Sequence, residues 1–170
     1  MLSEQKKILS KPIAIAEREL FQKWVEQPHI RRWWLDEWSE KAYDDMKSDQ
    51  DLSMGNGTFL QIIEEDCIGV CQIYSNFKGE NQYLSFGDCG IRFFIGETKF
   101  LNKKLGKLLI SSFVGHLFEI TQVQRVVCEP QADNWPAIIT LKRAGFRDQG
   151  RVKRPGRNLV QLTLRGTLPR

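Results

Sequence analysis

The sequence predicts an α+β domain: a mixed, mostly antiparallel sheet flanked by helices. Three observations carry this. The first third of the 170-residue chain shows apolar side chains at helical spacing, the middle third is a meander of β-rich runs, and the last third alternates strand and helix. The length suits one domain with a sizeable core, taken here as residues 1–170.

Residues Ile15 to Val25 have the apolar period of a helix that ends before Gln27-Pro28. A short helix is expected over His29 to Trp34, and a third from Ser39, as N-cap, to Lys47. The glycines of Ser53 to Thr58 mark a loop. Strands follow over Thr58–Glu64 and Cys67–Asn76, then a turn at Phe77–Asn81 and a strand around Gly87–Ile95. Leu105, Leu108, Leu109, Ser112, Phe113 and Leu117 recur at helical spacing. Gln124–Glu129 reads as a strand, and Asn134–Ala144 as a helix closed by Gly145. Two last strands, Phe146–Lys153 and Asn158–Leu164, flank a turn at Arg154–Arg157.

The net charge of +4 is unevenly spread. From Leu35 to Asp51 seven acids face two lysines; from Lys142 to Arg170 nine Lys or Arg face one acid, Asp148. Either segment suits a charged ligand or a solvated face. The basic third carries no recognisable nucleic-acid motif, so a nucleic-acid partner is not expected. No apolar run spans a bilayer, and the N-terminus breaks any signal-peptide core with charges, so the expected location is cytoplasmic, as a monomer or homodimer. The cysteines Cys67, Cys71, Cys89 and Cys128 form no CxxC pair, and His29 and His116 are distant, so buried reduced thiols are expected and no metal. Spacing of four along a strand places Cys67 and Cys71 on one face. His29 is expected to cap its local turn, and His116 to be a packing or surface residue of the central helix.

Phe100 to Phe113 reads as a turn running into a helix N-terminus, where free N–H groups and the dipole attract anions. Gly106 is its one glycine; Lys103, Lys104 and Lys107 add charge where further glycines would give access. The alternative is an ordinary amphipathic helix with a basic start. Trp33, Trp34 and Trp38, with Asp36 and Glu37 between, fit either the wall of an acceptor pocket or packing on the sheet; Trp24 fits packing.

Gly90-Ile-Arg-Phe-Phe-Ile-Gly-Glu97, Leu101-Asn-Lys-Lys-Leu-Gly106, Glu129-Pro-Gln-Ala-Asp-Asn134, Ala137-Ile138 and Lys142-Arg-Ala-Gly-Phe146 occur in an order and spacing that resembles the GNAT superfamily of acyl-CoA N-acyltransferases. Trp24, His29-Ile30, Trp33-Trp34 and the turn residues Gly150, Pro155 and Gly156 resemble its aminoglycoside 6'-N-acetyltransferase subgroup. The resemblance runs from about Leu20 to Leu164. It implies a splayed mixed sheet that holds acetyl-CoA in the V between two strands, and a small-molecule amine acceptor. It places Phe94 and Ile95 along the pantetheine arm and Leu101, Asn102, Lys103, Lys104, Leu105, Gly106 and Lys107 at the pyrophosphate. Asn134 would bond the cofactor arm, and Lys142 would lie near its phosphates. Trp34, Asp36, Glu37, Arg92 and Glu129 are the acceptor-side candidates. A backbone N–H on the Arg92–Ile95 strand would steady the oxyanion.

The chain also departs from the subgroup's pattern. Arg92 stands where the pattern has a carboxylate that binds or deprotonates the amine, and Leu141 where it has an acid tyrosine. Asn102 and Lys104 replace two turn glycines. A guanidinium is no base at neutral pH and repels a cationic antibiotic, whereas it suits an acceptor carrying a carboxylate or phosphate. Glu97 and Glu129 keep acidic positions, and Tyr74 and Tyr83 are alternative acids. The readings are an active N-acetyltransferase, an enzyme like the related siderophore-pathway acyltransferases of a hydroxylated lysine, or a catalytically silent protein that binds CoA or a partner.

Overall fold

The computed structural model describes residues 6–79, 81–101 and 104–166. A seven-stranded sheet runs through the molecule: β1 (Ile8–Pro12), β2 (Gly57–Ile63), β3 (Asp66–Ser75), β4 (Cys89–Ile95), β5 (Arg125–Cys128), β6 (Arg147–Arg154) and β7 (Arg157–Arg165). Their spatial order is β1-β2-β3-β4-β5-β7-β6, antiparallel throughout except for the parallel β4–β5 pair. The helices are α1 (Arg18–Val25), α2 (Pro28–Arg31), α3 (Asp36–Asp45), α4 (Leu105–Ile120) and α5 (Trp135–Arg143). The expected α+β architecture is the observed one.

Period-two alternation along the strands sorts side chains into two cores, one per sheet face. On one face α1 to α3 bury Phe21, Trp24, Ile30 and Trp34 against Leu60, Val70 and Phe94. On the other, α4 and α5 bury Leu109, Phe113, Leu117, Ile138 and Leu141 against Phe59, Cys71, Ile91, Val126 and Leu162.

Four expectations are corrected. Strand β1 was not anticipated: of its five residues only Ile8 is buried, so it shows no alternation to read. Helix α3 starts at Asp36, three residues before Ser39, and Ser39 caps nothing there; its hydroxyl accepts the Trp34 indole N–H at 3.1 Å. Cys67 and Cys71 lie on opposite faces, because a β-bulge leaves Ile68 out of the β2–β3 register and reverses the alternation. His29 does not cap its own turn; it donates from Nε2 to the carbonyl of Ile95, on β4, at 3.0 Å.

The last hairpin turns more tightly than expected: Arg154 pairs with Arg157, leaving Pro155-Gly156 as the turn, with Gly156 at φ +71°. Among the described residues no helix is long and apolar enough to cross a membrane, and no group of three or more His, Cys, Asp or Glu could hold a metal ion. All four cysteines are unpaired.

Candidate functional site

The site begins where the sheet splits. Parallel β5 pairs with β4 only at Cys89–Val126 and Gly90–Val127. Beyond this, β4 continues to Ile95 while β5 ends at Cys128. Strand β3 pairs with β4 along its whole length without a register shift. Gly96 N–H donates to Ile68 and Asn76 N–H to Asp88, so the even-numbered residues between 88 and 96 turn their backbone groups to β3. The odd-numbered Phe93 and Ile95 turn theirs into the split. Phe94 therefore spends its backbone on β3 and contributes its ring.

A cleft of about 1300 Å³ fills the split, above the common range of roughly 300–1,000 Å³ for a single small-molecule pocket. At one end lie Ile95, Leu101, Gly106, Asn134, Ala137 and Thr140. Here the start of α4 packs against α5. A side chain at Gly106 would approach Thr140 Cγ2 to 3.0 Å, so the absence of a Cβ lets the start of α4 pack against the middle of α5. Asn134 caps α5, its Oδ1 accepting the Ala137 N–H at 3.4 Å. Lys104 is the N-cap of α4 and sits at φ +59°, the left-handed conformation that favours glycine. Lys104 thus holds a backbone shape that glycine adopts without strain. The start of α4, whose first N–H groups have no partner within the helix, and the β4 edge at Phe93 and Ile95 border the same cleft, a chemistry that fits a long phosphorylated arm.

At the other end Trp33, Trp34, Glu37, Trp38, Tyr74 and Tyr83 wall the cleft, with Arg92, Arg154 and Arg157. Trp34 packs edge-on against Phe94 and Trp38, so it belongs to the core and to the wall at once. Arg92 lies between two aromatic faces, 4.2 Å from the Tyr74 ring centre and 4.6 Å from that of Trp38. Its Nη1 donates to Gln72 Oε1 at 2.8 Å. Gln72, fully buried, donates onward to Thr58 Oγ1 and the Trp38 carbonyl; Thr58 donates to Asp45, which Lys41 neutralises. The chain of bonds ties the guanidinium to α3 through the sheet. Burial pulls the Arg92 pKa below its ordinary value, and it remains a cation at neutral pH.

Tyr74 reaches across β4 because residue 90 is glycine: a Cβ there would collide with the ring. Burial raises its phenol to about 12, so it is protonated at neutral pH. Glu129 accepts from Arg154 Nη2 at 2.7 Å and from Gln161 at 3.0 Å. Arg154 also stacks on Tyr83 and leaves its buried Nε without an acceptor.

The remaining candidates fall outside this cleft. Leu141 is buried in the core against α4. Lys104, Leu105 and Lys107 flank the start of α4 without lining the cavity, and Lys142 is exposed, 3.7 Å from Asp148. Asp36 lines a smaller pocket with Glu26 and Arg31. Glu97 accepts the Trp24 indole N–H at 2.9 Å. Asn102 and Lys103 lie outside the described residues. Thr140, Gln72 and the arginines of the last hairpin carry no signal of their place here in the sequence, whereas the Phe93 edge lies within the Arg92–Ile95 strand from which an oxyanion donor is expected. Gly90 was the readable signal for Tyr74, since a glycine inside a strand marks a close approach.

Comparison with known proteins agrees with this geometry. Residues 16–154 match the model of an acetyltransferase (GNAT) domain. Aminoglycoside N(6')-acetyltransferase type 1 from Klebsiella pneumoniae is 26% identical over 140 residues, covering 78% of this chain and 70% of that protein, and the Serratia marcescens protein gives the same figures. A solved structure of AAC(6')-Ib in complex with Parmomycin and AcetylCoA superposes with a TM-score of 0.77 at 20% identity, covering 94% of this chain and 93% of that one. An aminoglycoside N(6')acetyltransferase from Legionella pneumophila gives 0.76 at 17%, covering 97% and 95%. With a sheet that splits between β4 and β5 and a family match over most of its length, the chain belongs to the GNAT acetyltransferase family.

Proposed function

We propose that the protein transfers an acetyl group from acetyl-CoA to the amine of a small molecule. The observation that carries this is the β4 edge at Phe93 and Ile95, which no strand covers although His29 holds the Ile95 carbonyl, leading from the acceptor end of the cleft to the start of α4 beside α5. That edge suits the pantetheine arm, and the N–H groups at the start of α4, with Gly106 and Asn134 beside them, suit the pyrophosphate end. Lys104 and Lys107, and Lys103 with them in sequence, add positive charge nearby. Bound acetyl-CoA supplies an activated thioester; the chain supplies position and proton management.

The Phe93 N–H, free of β3, is the donor the strand offers to an acyl oxygen. Residue 141 offers no acid, being a buried leucine. Tyr74 does: it is protonated, lines the cleft and is held over Gly90. Glu129 is occupied by Arg154 and Gln161, so the acceptor amine gives its proton to water or to Glu37.

Release of free CoA thiol from acetyl-CoA with a panel of small amines tests the reading. Turnover is expected, with Tyr74→Phe lowering kcat by about 10²-fold, the lower range for a lost general acid. Tight CoA binding without thiol release from any amine would instead support a silent CoA-binding protein, the reading that Leu141 favours. Turnover only with longer acyl-CoAs would move the assignment to another acyltransferase on this fold.

A further inference from the structure

We infer that the acceptor carries an anionic group, a carboxylate or a phosphate, held between Arg92 and Arg157; this rests on the acyltransferase reading of the same cleft. Arg92 is largely withdrawn from water, yet no carboxylate among the described residues lies within ion-pair distance of it or of Arg157. Its one protein hydrogen bond goes to a neutral amide, and its faces are covered by Tyr74 and Trp38. Stacking and one amide leave most of the desolvation cost of a guanidinium uncompensated.

No facing group among the described residues forms an ion pair with Arg92. The Tyr74 phenol keeps its proton. Glu129 is committed to Arg154, and Glu37, exposed on the cleft wall, favours the Arg92 charge only from beyond ion-pair distance. Arg157 makes matters worse: its guanidinium lies 5.6 Å from the same Trp38 ring and adds a second positive charge. Two guanidiniums set against one Trp38 ring, neither in an ion pair among the described residues and one fixed through Gln72 and Thr58 to α3, offer a preorganised anion clamp. Planar forks of this kind match the oxygens of carboxylate or phosphate. The same charges exclude a polycation, so an acceptor of the aminoglycoside type is disfavoured.

Matched amines separate the possibilities: phenylalanine against phenethylamine for carboxylate, O-phosphoethanolamine against ethanolamine for phosphate, and kanamycin as a polycation. The expected result is a kcat/KM at least tenfold higher for an anionic member than for its neutral partner, the discrimination disappearing in Arg92→Gln and falling in Arg157→Gln. Which pair shows it identifies the anion. With CoA present and no turnover required, the same anionic compound should raise the melting temperature of the wild type and not of Arg92→Gln. If that shift occurs while no amine releases thiol, the clamp stands and the transfer reading fails. Equal or better use of phenethylamine, ethanolamine or kanamycin overturns the clamp and leaves acyl transfer intact. The absence of both turnover and a melting shift with either anionic compound also overturns the clamp.

Discussion

Arg92 shows how one residue changes the chemistry of an inherited cleft. Its position on β4 faces the acceptor end, where it is sandwiched by Tyr74 and Trp38 and bonded to Gln72. An arginine on this strand does not disturb the fold, because the two rings and the amide were placed to receive it. It does leave an unneutralised charge. Replacing it with methionine, which is shorter but keeps apolar contact with the rings, is expected to stabilise the ligand-free protein by about 1 kcal/mol, the lower range for relieving a buried charge because the Gln72 oxygen loses its donor. Denaturant unfolding reads this directly; a loss of stability would show that Arg92 is structural and not held in reserve for a ligand. Sequence alone exposed the residue and its unsuitability as a base. It did not expose the partners, since Gln72 lies 20 residues away and Trp38 further still.

At the scale of elements, strands β3 and β4 act as one unit. Their full pairing directs the odd-numbered edge of β4 into the split, and Gln72 on β3 links Arg92 to α3. Gln72→Ala leaves buried donors and acceptors on Thr58, Trp38 and Arg92 with fewer partners, and is expected to cost about 2 kcal/mol or more. Thermal or denaturant unfolding checks the cost; a change below about 0.5 kcal/mol, the scale of a neutral surface substitution, would mean that the bonds in this chain act independently. Most elements were legible as patterns: the period of α4, the Asn134 start and Gly145 end of α5, the β-branched run of β5. What escaped depended on contacts between distant segments. The start of α3 is fixed by packing of the tryptophans, with Ser39 drawn to the Trp34 indole. The faces of Cys67 and Cys71 are set by a bulge that no spacing rule reveals. The split itself was legible only through family resemblance, because two residue pairs between β4 and β5 leave no mark in either strand's sequence.

The whole molecule is a sheet with a core on each face and a cleft where the two cores part company. Its packing has a pH signature. Burial raises the thiols of Cys89 and Cys128 from 9.0 to about 12 and the Tyr74 phenol from 10.0 to about 12. Unfolding frees these groups to ionise at their ordinary values, so between about pH 9 and 12 the unfolded chain binds fewer protons than the folded one. The stability these groups contribute is complete below pH 9 and is lost as pH rises through that window, by up to about 1.4 kcal/mol per pH unit for each group. Melting temperature should therefore fall steeply from pH 9 upward, and less steeply in Cys128→Ala; a flat profile would place these groups in water. The account rests on the cleft being a working CoA site despite lysine in a left-handed turn position. Calorimetric titration of acetyl-CoA into the wild type and into Lys104→Gly tests this most directly. Micromolar binding by the wild type, equalled or improved when glycine relieves the turn, is the predicted result. No heat of binding from either protein would contradict it, and with it the assignment of the cleft to acyl transfer.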